Sequence, residues 1–271
     1  MEWVSDYYTS MSRTFDFGRA VTDEHRQQAE RIALLAGNQC RRVLELGCGT
    51  GALACALSDL GYSVVAVDLN AAAIEQARRL TSERRMPPTL VEADFYAVEL
   101  GERFDLVYYW DGFGVGSDAD QRRLLDRIGA EWLAPQGRAL IDVFCPWSWI
   151  ARSGKTYVYT ALDGARWERT YGFDALSSRM LDAWTCLDRP DEPHRTQTLR
   201  CYAPQDFALL VEPTALQLEG IHAFDGRRLD GGGNAEAHLR SANGYLASLR
   251  KKPASPFSRH RLSSSHGTRS T

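Results

Sequence analysis

Four carboxylates and three glycines carry the chemistry in this chain. Glu45 lies in "VLELGCGTG", residues 43–51, two positions before the first of the alternating glycines Gly47, Gly49 and Gly51. Asp68 closes the apolar run "VVAVDL", Asp94 sits in "VEADF", and Asp111 follows "YYW" in "YYWDGFGVG". Glycines at alternate positions allow a tight turn and a close backbone approach to a ligand. An acid at the end of the next strand is placed to accept hydrogen bonds from ribose hydroxyls. Glu45 argues about charge: a carboxylate repels a pyrophosphate and favours a cofactor that carries an ammonium and a sulfonium. The glycine loop alone does not decide this, because "GCGTGA" also satisfies the looser dinucleotide pattern.

Short apolar segments that alternate with amphipathic ones must position these groups. "RRVLEL", "YSVVAVDL", "PTLVEADF", "RFDLVYYW" and "GRALIDVF" read as strands. Helices are expected over 22–36 with Thr22 as N-cap, over "GALACALSDLG", over "NAAAIEQARRLTSER" behind Asn70, and over "SDADQRRLLDRIGAEWL" behind Ser117 or Asp118. This alternation predicts an α/β fold: a doubly wound, mostly parallel seven-stranded sheet with helices on both faces. From 145 to about 201 aromatic and polar residues alternate instead, which predicts antiparallel hairpins inserted as a cap after the fifth strand. "APQDFALLVEP" resumes as a helix, "ALQLEGIHAF" as a strand, "DGGGNAEA" as a flexible loop and "GYLASLRKK" as a short last strand. Residues 1–20 show no clean period. The expected divisions are an N-terminal segment over 1–20 that closes the site, a core over 21–145, the cap over 146–200, the rest of the core over 201–252, and a disordered tail over 253–271.

"VLELGCGTG", "VVAVDLN", "EADF", "FDLVYYW" and "WLAPQGRALIDVF" come in an order and spacing that resembles the class I S-adenosylmethionine-dependent methyltransferases, over about residues 25–145. The resemblance implies S-adenosylmethionine as cofactor, with Glu45, Gly47, Cys48, Gly49 and Gly51 in its loop. It implies Asp68 and Leu69 at the ribose, Asp94 and Phe95 at the adenine, Tyr109 or Trp110 at the methionine end, and Tyr8 closing over it. Simpler roles stand beside these: Asp68 as a helix cap, Asp94 as a turn acid, Cys48 as a small side chain that fits.

The catalytic candidates are Asp111, at the sheet edge that faces the reacting centre, and His194 in "DEPHRTQ". Asp111 has a second reading, as a stabiliser of the turn that follows it. His222 reads as packed inside a strand, and His25 as an exposed helix start. Residues 144–184 hold nine aromatic rings in forty-one positions against 10 % overall. Most of these rings are expected to pack, and Trp147 and Tyr157 to meet substrate, so the acceptor is expected to be a small apolar or aromatic molecule.

Net charge is −3 and the pI about 6.1, which gives no basic excess for nucleic acid. The fourth strand ends in "WDGFGVG" rather than the Pro-Pro-aromatic pattern of enzymes that methylate base or glutamine amines. No apolar run suits a membrane span, the start lacks a signal-peptide layout, and six cysteines form no C-x-x-C pair. A reduced, cytoplasmic protein without a metal is expected, with a homodimer through the cap. Two alternatives remain at this level: an NAD-dependent oxidoreductase using the same loop, and a domain that binds S-adenosylmethionine without transferring methyl.

Overall fold

A computed structural model describes residues 2–15, 20–229 and 233–253 of the 271-residue chain. The expected tail therefore lies almost wholly outside the described residues.

Seven strands form one sheet: β1 (Arg42–Leu46), β2 (Ser63–Asp68), β3 (Thr89–Glu92), β4 (Phe104–Tyr109), β5 (Leu133–Phe144), β10 (Leu216–His222) and β11 (Gly244–Lys251). Their order is β10-β11-β5-β4-β1-β2-β3, and β11 alone runs antiparallel to its neighbours. The doubly wound sheet expected from the sequence is thus present. Its strand order reverses between β1 and β4, which opens a crevice at their carboxyl ends. The helices α2 (Asp23–Ala36), α3 (Ala52–Asp59), α4 (Ala71–Thr81), α5 (Asp118–Arg127) and α7 (Pro204–Val211) cover the two faces.

Local chemistry sets the helix starts. Thr22 and Ser117 each make a capping box, and the Asn70 side chain accepts from the backbone N–H groups of Ala72 and Ala73. α5 runs on into a π-helical turn over Ile128–Trp132. Two apolar clusters, one on each face, centre on Trp132 with Phe207 and on Val43 with Leu57.

After β5 the chain makes α6 (Pro146–Arg152). A separate antiparallel sheet follows, in the order β6 (Thr156–Thr160), β7 (Arg166–Asp174), β8 (Arg179–Cys186), β9 (Arg195–Arg200). This is the cap expected from the alternation.

Two expectations need correction. The N-terminal segment is helical: α1 spans Glu2–Thr14 and packs Tyr7, Met11 and Phe15 against Trp167, Trp184 and Cys186 of the cap. The stripe of Val4, Tyr7, Tyr8, Met11 and Phe15 has helical spacing and is the signal the sequence reading passed over. Of the expected loop "DGGGNAEA", residues 230–232 lie outside the described residues, and the remainder is helical, since α8 runs Gly233–Ser241. Its Glu236–Arg240 pair is spaced i,i+4, and His238 stands against Phe224.

Candidate active site

One cavity of about 630 Å³ lies at the carboxyl ends of β1, β2 and β4, beneath α1 and the cap. That volume falls in the range of ligand pockets, roughly 300–1,000 Å³. It is lined from below by Glu45, Gly47, Cys48, Gly49, Asp68, Leu69, Asp94, Phe95, Tyr109, Trp110 and Asp111, and Tyr8 reaches it from α1.

The three loop glycines have different reasons. Each has positive φ, at 66°, 53° and 73° for Gly47, Gly49 and Gly51. A Cβ on Gly47 would stand 2.9 Å from the Tyr109 ring, so packing excludes it. A Cβ on Gly51, the N-cap of α3, would press on Ala77 at 3.2 Å, and Gly51 does not line the cavity. A Cβ on Gly49 would meet nothing within 4 Å and would project into open space. Gly49 is therefore the glycine free for close approach by a ligand, and the other two shape the loop.

Asp68 holds the loop. Its Oδ2 accepts from the Gly49 N–H at 2.6 Å and its Oδ1 from the Asn70 N–H at 2.7 Å. Burial raises its pKa, and these backbone donors oppose the rise. Each oxygen keeps a lone pair for a further donor. Asp68 thus both joins loop to helix and faces the cavity. Asp94 Oδ1 accepts from the Tyr96 N–H at 2.7 Å, a turn that leaves its other oxygen unpaired beside Phe95.

Glu45 is 4 % exposed, and its Oε2 has no hydrogen-bond partner. Burial pushes its carboxyl up to about 8, Asp68 adds to the rise, and Tyr108 offsets part of it. A buried carboxylate oxygen without a partner on a cavity wall is costly unless a cation or donor meets it. The Cys48 thiol is pushed well up by burial, so it carries no thiolate chemistry.

Asp111 has φ 53°, a left-handed conformation held by its N–H donating to Asp142 Oδ2 at 3.1 Å. Its own carboxylate opens into the cavity and is raised to about 6. Desolvation by the surrounding cavity walls is the main cause, although the residue is exposed to the cavity's open space; Arg169 opposes the rise, and Asp182 adds to it. Asp142 beneath is fully enclosed, with Oδ1 unpaired and its carboxyl pushed well above the usual range by burial.

The cap contributes residues that sequence reasoning missed. Arg169 on β7 pairs with both oxygens of buried Asp182 on β8, at 2.8 and 2.7 Å, and stacks on Trp184 and Tyr171. Gln197 on β9 donates to the Tyr8 hydroxyl at 2.6 Å, which ties α1 to the cap over the cavity. Strand alternation puts Arg169, Asp182 and Gln197 on one sheet face. No motif marks that face, and only the register brings the three together.

Three expected site residues stand elsewhere. His194 is exposed, pairs through Nδ1 with Thr185 Oγ1 at 2.9 Å, and does not line the cavity. Trp147 and Tyr157 are each 44 % exposed and do not line the cavity, although Tyr157 stands opposite Arg169 in the β6–β7 register and packs its ring on Tyr171, on the sheet face that carries Arg169. Of the nine clustered rings Trp184 lines the cavity, while Trp167 is fully buried against α1. The cavity roof therefore combines charge and aromatic surface rather than being apolar. His222 closes β10, with Nε2 near Ser248 Oγ at 3.1 Å, and His25 sits at the start of α2 as part of its cap.

The strand order, the glycine loop and the acids at successive strand ends define the class I methyltransferase fold. Residues 43–137 match the family described as "Methyltransferase domain". A curated relative, the cypemycin N-terminal methyltransferase of a Streptomyces species, is 33 % identical over 107 residues. That match spans 39 % of this chain and 43 % of the relative, less than half of its length. The solved CcbJ methyltransferase from Streptomyces caelestis superposes with a TM-score of 0.70 at 22 % identity, over 92 % of this chain and 96 % of that one. CalS10, an amino pentose methyltransferase from Micromonospora echinaspora, gives a TM-score of 0.58 at 20 % identity, over 84 % and 91 %. At such identities these two structures speak for the fold.

Proposed function

We propose that this chain is an S-adenosylmethionine-dependent methyltransferase whose acceptor is a small polar molecule that presents an amine. The observation that carries this reading is the buried Glu45 carboxylate, whose Oε2 has no partner, beside an open glycine cradle and in the same cavity as Asp111. The residues suit the cofactor. Gly49 leaves room for close approach, Asp68 offers lone pairs to ribose hydroxyls, Asp94 and Phe95 suit the adenine, and Glu45 suits a cationic methionine end. A pyrophosphate would gain nothing from Glu45, which weighs against the NAD alternative. Bound S-adenosylmethionine supplies the electrophilic methyl group and its leaving group.

The chain's own residues then orient the acceptor, exclude water and manage a proton. Asp111 is ionised above about pH 6, so it holds an acceptor ammonium and takes up its proton as the nitrogen lone pair is freed. Arg169, fixed by Asp182, and Gln197, fixed on Tyr8, give the roof polar groups for the rest of the molecule. The name of the cypemycin N-terminal methyltransferase agrees with an amine acceptor. On this reading residues 1–20 close the site, 21–145 and 201–252 form the core, and 146–200 cap it.

Among the described residues no helix is long and apolar enough to cross a membrane. Six unpaired cysteines support a reducing, cytoplasmic setting.

The test is incubation with S-adenosylmethionine and matched amine and alcohol acceptors, read by product mass. Methylated amines, lost in Asp111→Asn, are expected. Transfer to alcohols alone would overturn the acceptor class.

A further inference from the structure

β6 is the outer strand of the cap sheet, paired with β7 on one side only. All five of its residues are exposed. It carries no charge, no proline and no bulge, the devices by which proteins blunt an open edge. Its sequence, Thr156-Tyr157-Val158-Tyr159-Thr160, reads the same in both directions.

The backbone has the matching symmetry. Ala161 N–H donates to Ala165 O at 2.8 Å and Tyr171 N–H to Lys155 O at 3.0 Å, each within a cross-strand pair of the β6–β7 ladder. Antiparallel pairs alternate, so the odd-numbered residues spend their polar groups on β7. Thr156, Val158 and Thr160 turn theirs outward.

We propose that two copies of this chain join edge to edge through β6, antiparallel about a two-fold axis at Val158. Val158 then faces its own copy, Thr156 faces the partner's Thr160, and Tyr157 faces the partner's Tyr159. The outward groups of the three threonine and valine positions meet one another in about six hydrogen bonds. The two four-stranded caps become one continuous sheet. A symmetric strand makes a second copy the occupant, because an isologous contact requires the patch to complement itself.

A five-residue strand alone buries less than the ~1,000 Å² a stable dimer needs. Further contacts must therefore join the strand pairing, and the exposed apolar residues nearest β6 in sequence are Leu162 just past it and Trp147 and Ile150 of α6. The inference stands apart from the reaction. It bears on the site through Arg169, which β7 presents to the cavity while pairing with β6.

Light scattering on the full chain gives the first reading, with Val158→Lys and Val158→Pro as variants. Residue 158 points its N–H away from β7, so proline there removes no bond within the chain. Wild type is expected as a dimer and both variants as monomers with unchanged unfolding temperature. Val158→Cys is expected to form a covalent dimer on oxidation, because residues in such a pair stand about 5.5 Å apart, within disulfide reach. Thr156→Cys is expected not to, since its copies would be about 13 Å apart. The native cysteines are buried and give little background. A monomeric wild type, or a dimer indifferent to both variants, overturns the proposal. Cross-linking through Thr156→Cys rather than Val158→Cys overturns the register.

Discussion

Replacing Glu45 by Gln removes a titrating group and nearly preserves shape, so its effect should depend on pH. The Glu45 carboxyl is held at about 8 in the folded chain by burial, against an ordinary value of 4.5. Between those values the folded state keeps a proton that the unfolded chain releases, so stability falls as pH rises from 4.5 to 8. Linkage puts the cost on the order of 1.4 kcal/mol at pH 5.5 and on the order of 3 kcal/mol at pH 7. Gln bears no such cost. Glu45→Gln should therefore gain about 2 kcal/mol on wild type between pH 5.5 and 7. For a chain of this size that is about 4–8 °C in unfolding temperature. Thermal scans of both proteins at several pH values, without ligand, read this directly. A stability difference independent of pH would show that Glu45 is not held protonated, and would refute the account of a buried carboxyl raised by desolvation. The same substitution should weaken S-adenosylmethionine binding by about tenfold or more, since a charge-assisted contact is lost.

Asp111→Asn should lower turnover by about 10²–10⁴-fold. In wild type the rate should fall as pH drops through about 6, where Asp111 takes up a proton, and the variant should lose that limb. A pH–rate profile checks both. Arg169→Gln leaves Asp182 buried and unpaired, so chemical denaturation should show a loss of about 3–5 kcal/mol. The loop glycines should separate by assay. Gly47→Ala should lower the unfolding temperature through its clash with Tyr109. Gly49→Ala meets no protein atom, so beyond the strain of its positive φ it should chiefly lose cofactor affinity by calorimetry.

The core was readable because its signals are local. "VLELGCGTG" and "VVAVDL" announce strand ends by period and by where the apolar run stops. Thr22, Asn70 and Ser117 mark helix starts within four residues of their partners. The cavity floor follows from the same strands, since Glu45, Asp68 and Asp111 sit at adjacent carboxyl ends.

The roof was not readable. Arg169, Asp182 and Gln197 meet through strand register over distances of thirteen residues or more, and a shift of one residue would turn each outward. His194 fits the chemistry by type alone, and its position beyond the β8–β9 turn leaves it bonded to Thr185. Ring density marks Trp147 and Tyr157 alike, and it does not show that Tyr157 shares the sheet face of Arg169 and Tyr171 yet stops short of the cavity.

The most direct test of the central claim is calorimetric titration of the purified protein with S-adenosylhomocysteine and NAD in parallel, with Asp68→Ala as control. Binding of the adenosyl compound, lost in Asp68→Ala, with no heat from NAD, is the expected result. Binding of NAD and not of S-adenosylhomocysteine would contradict the account, because the glycine cradle and Glu45 would then serve a ligand of opposite charge.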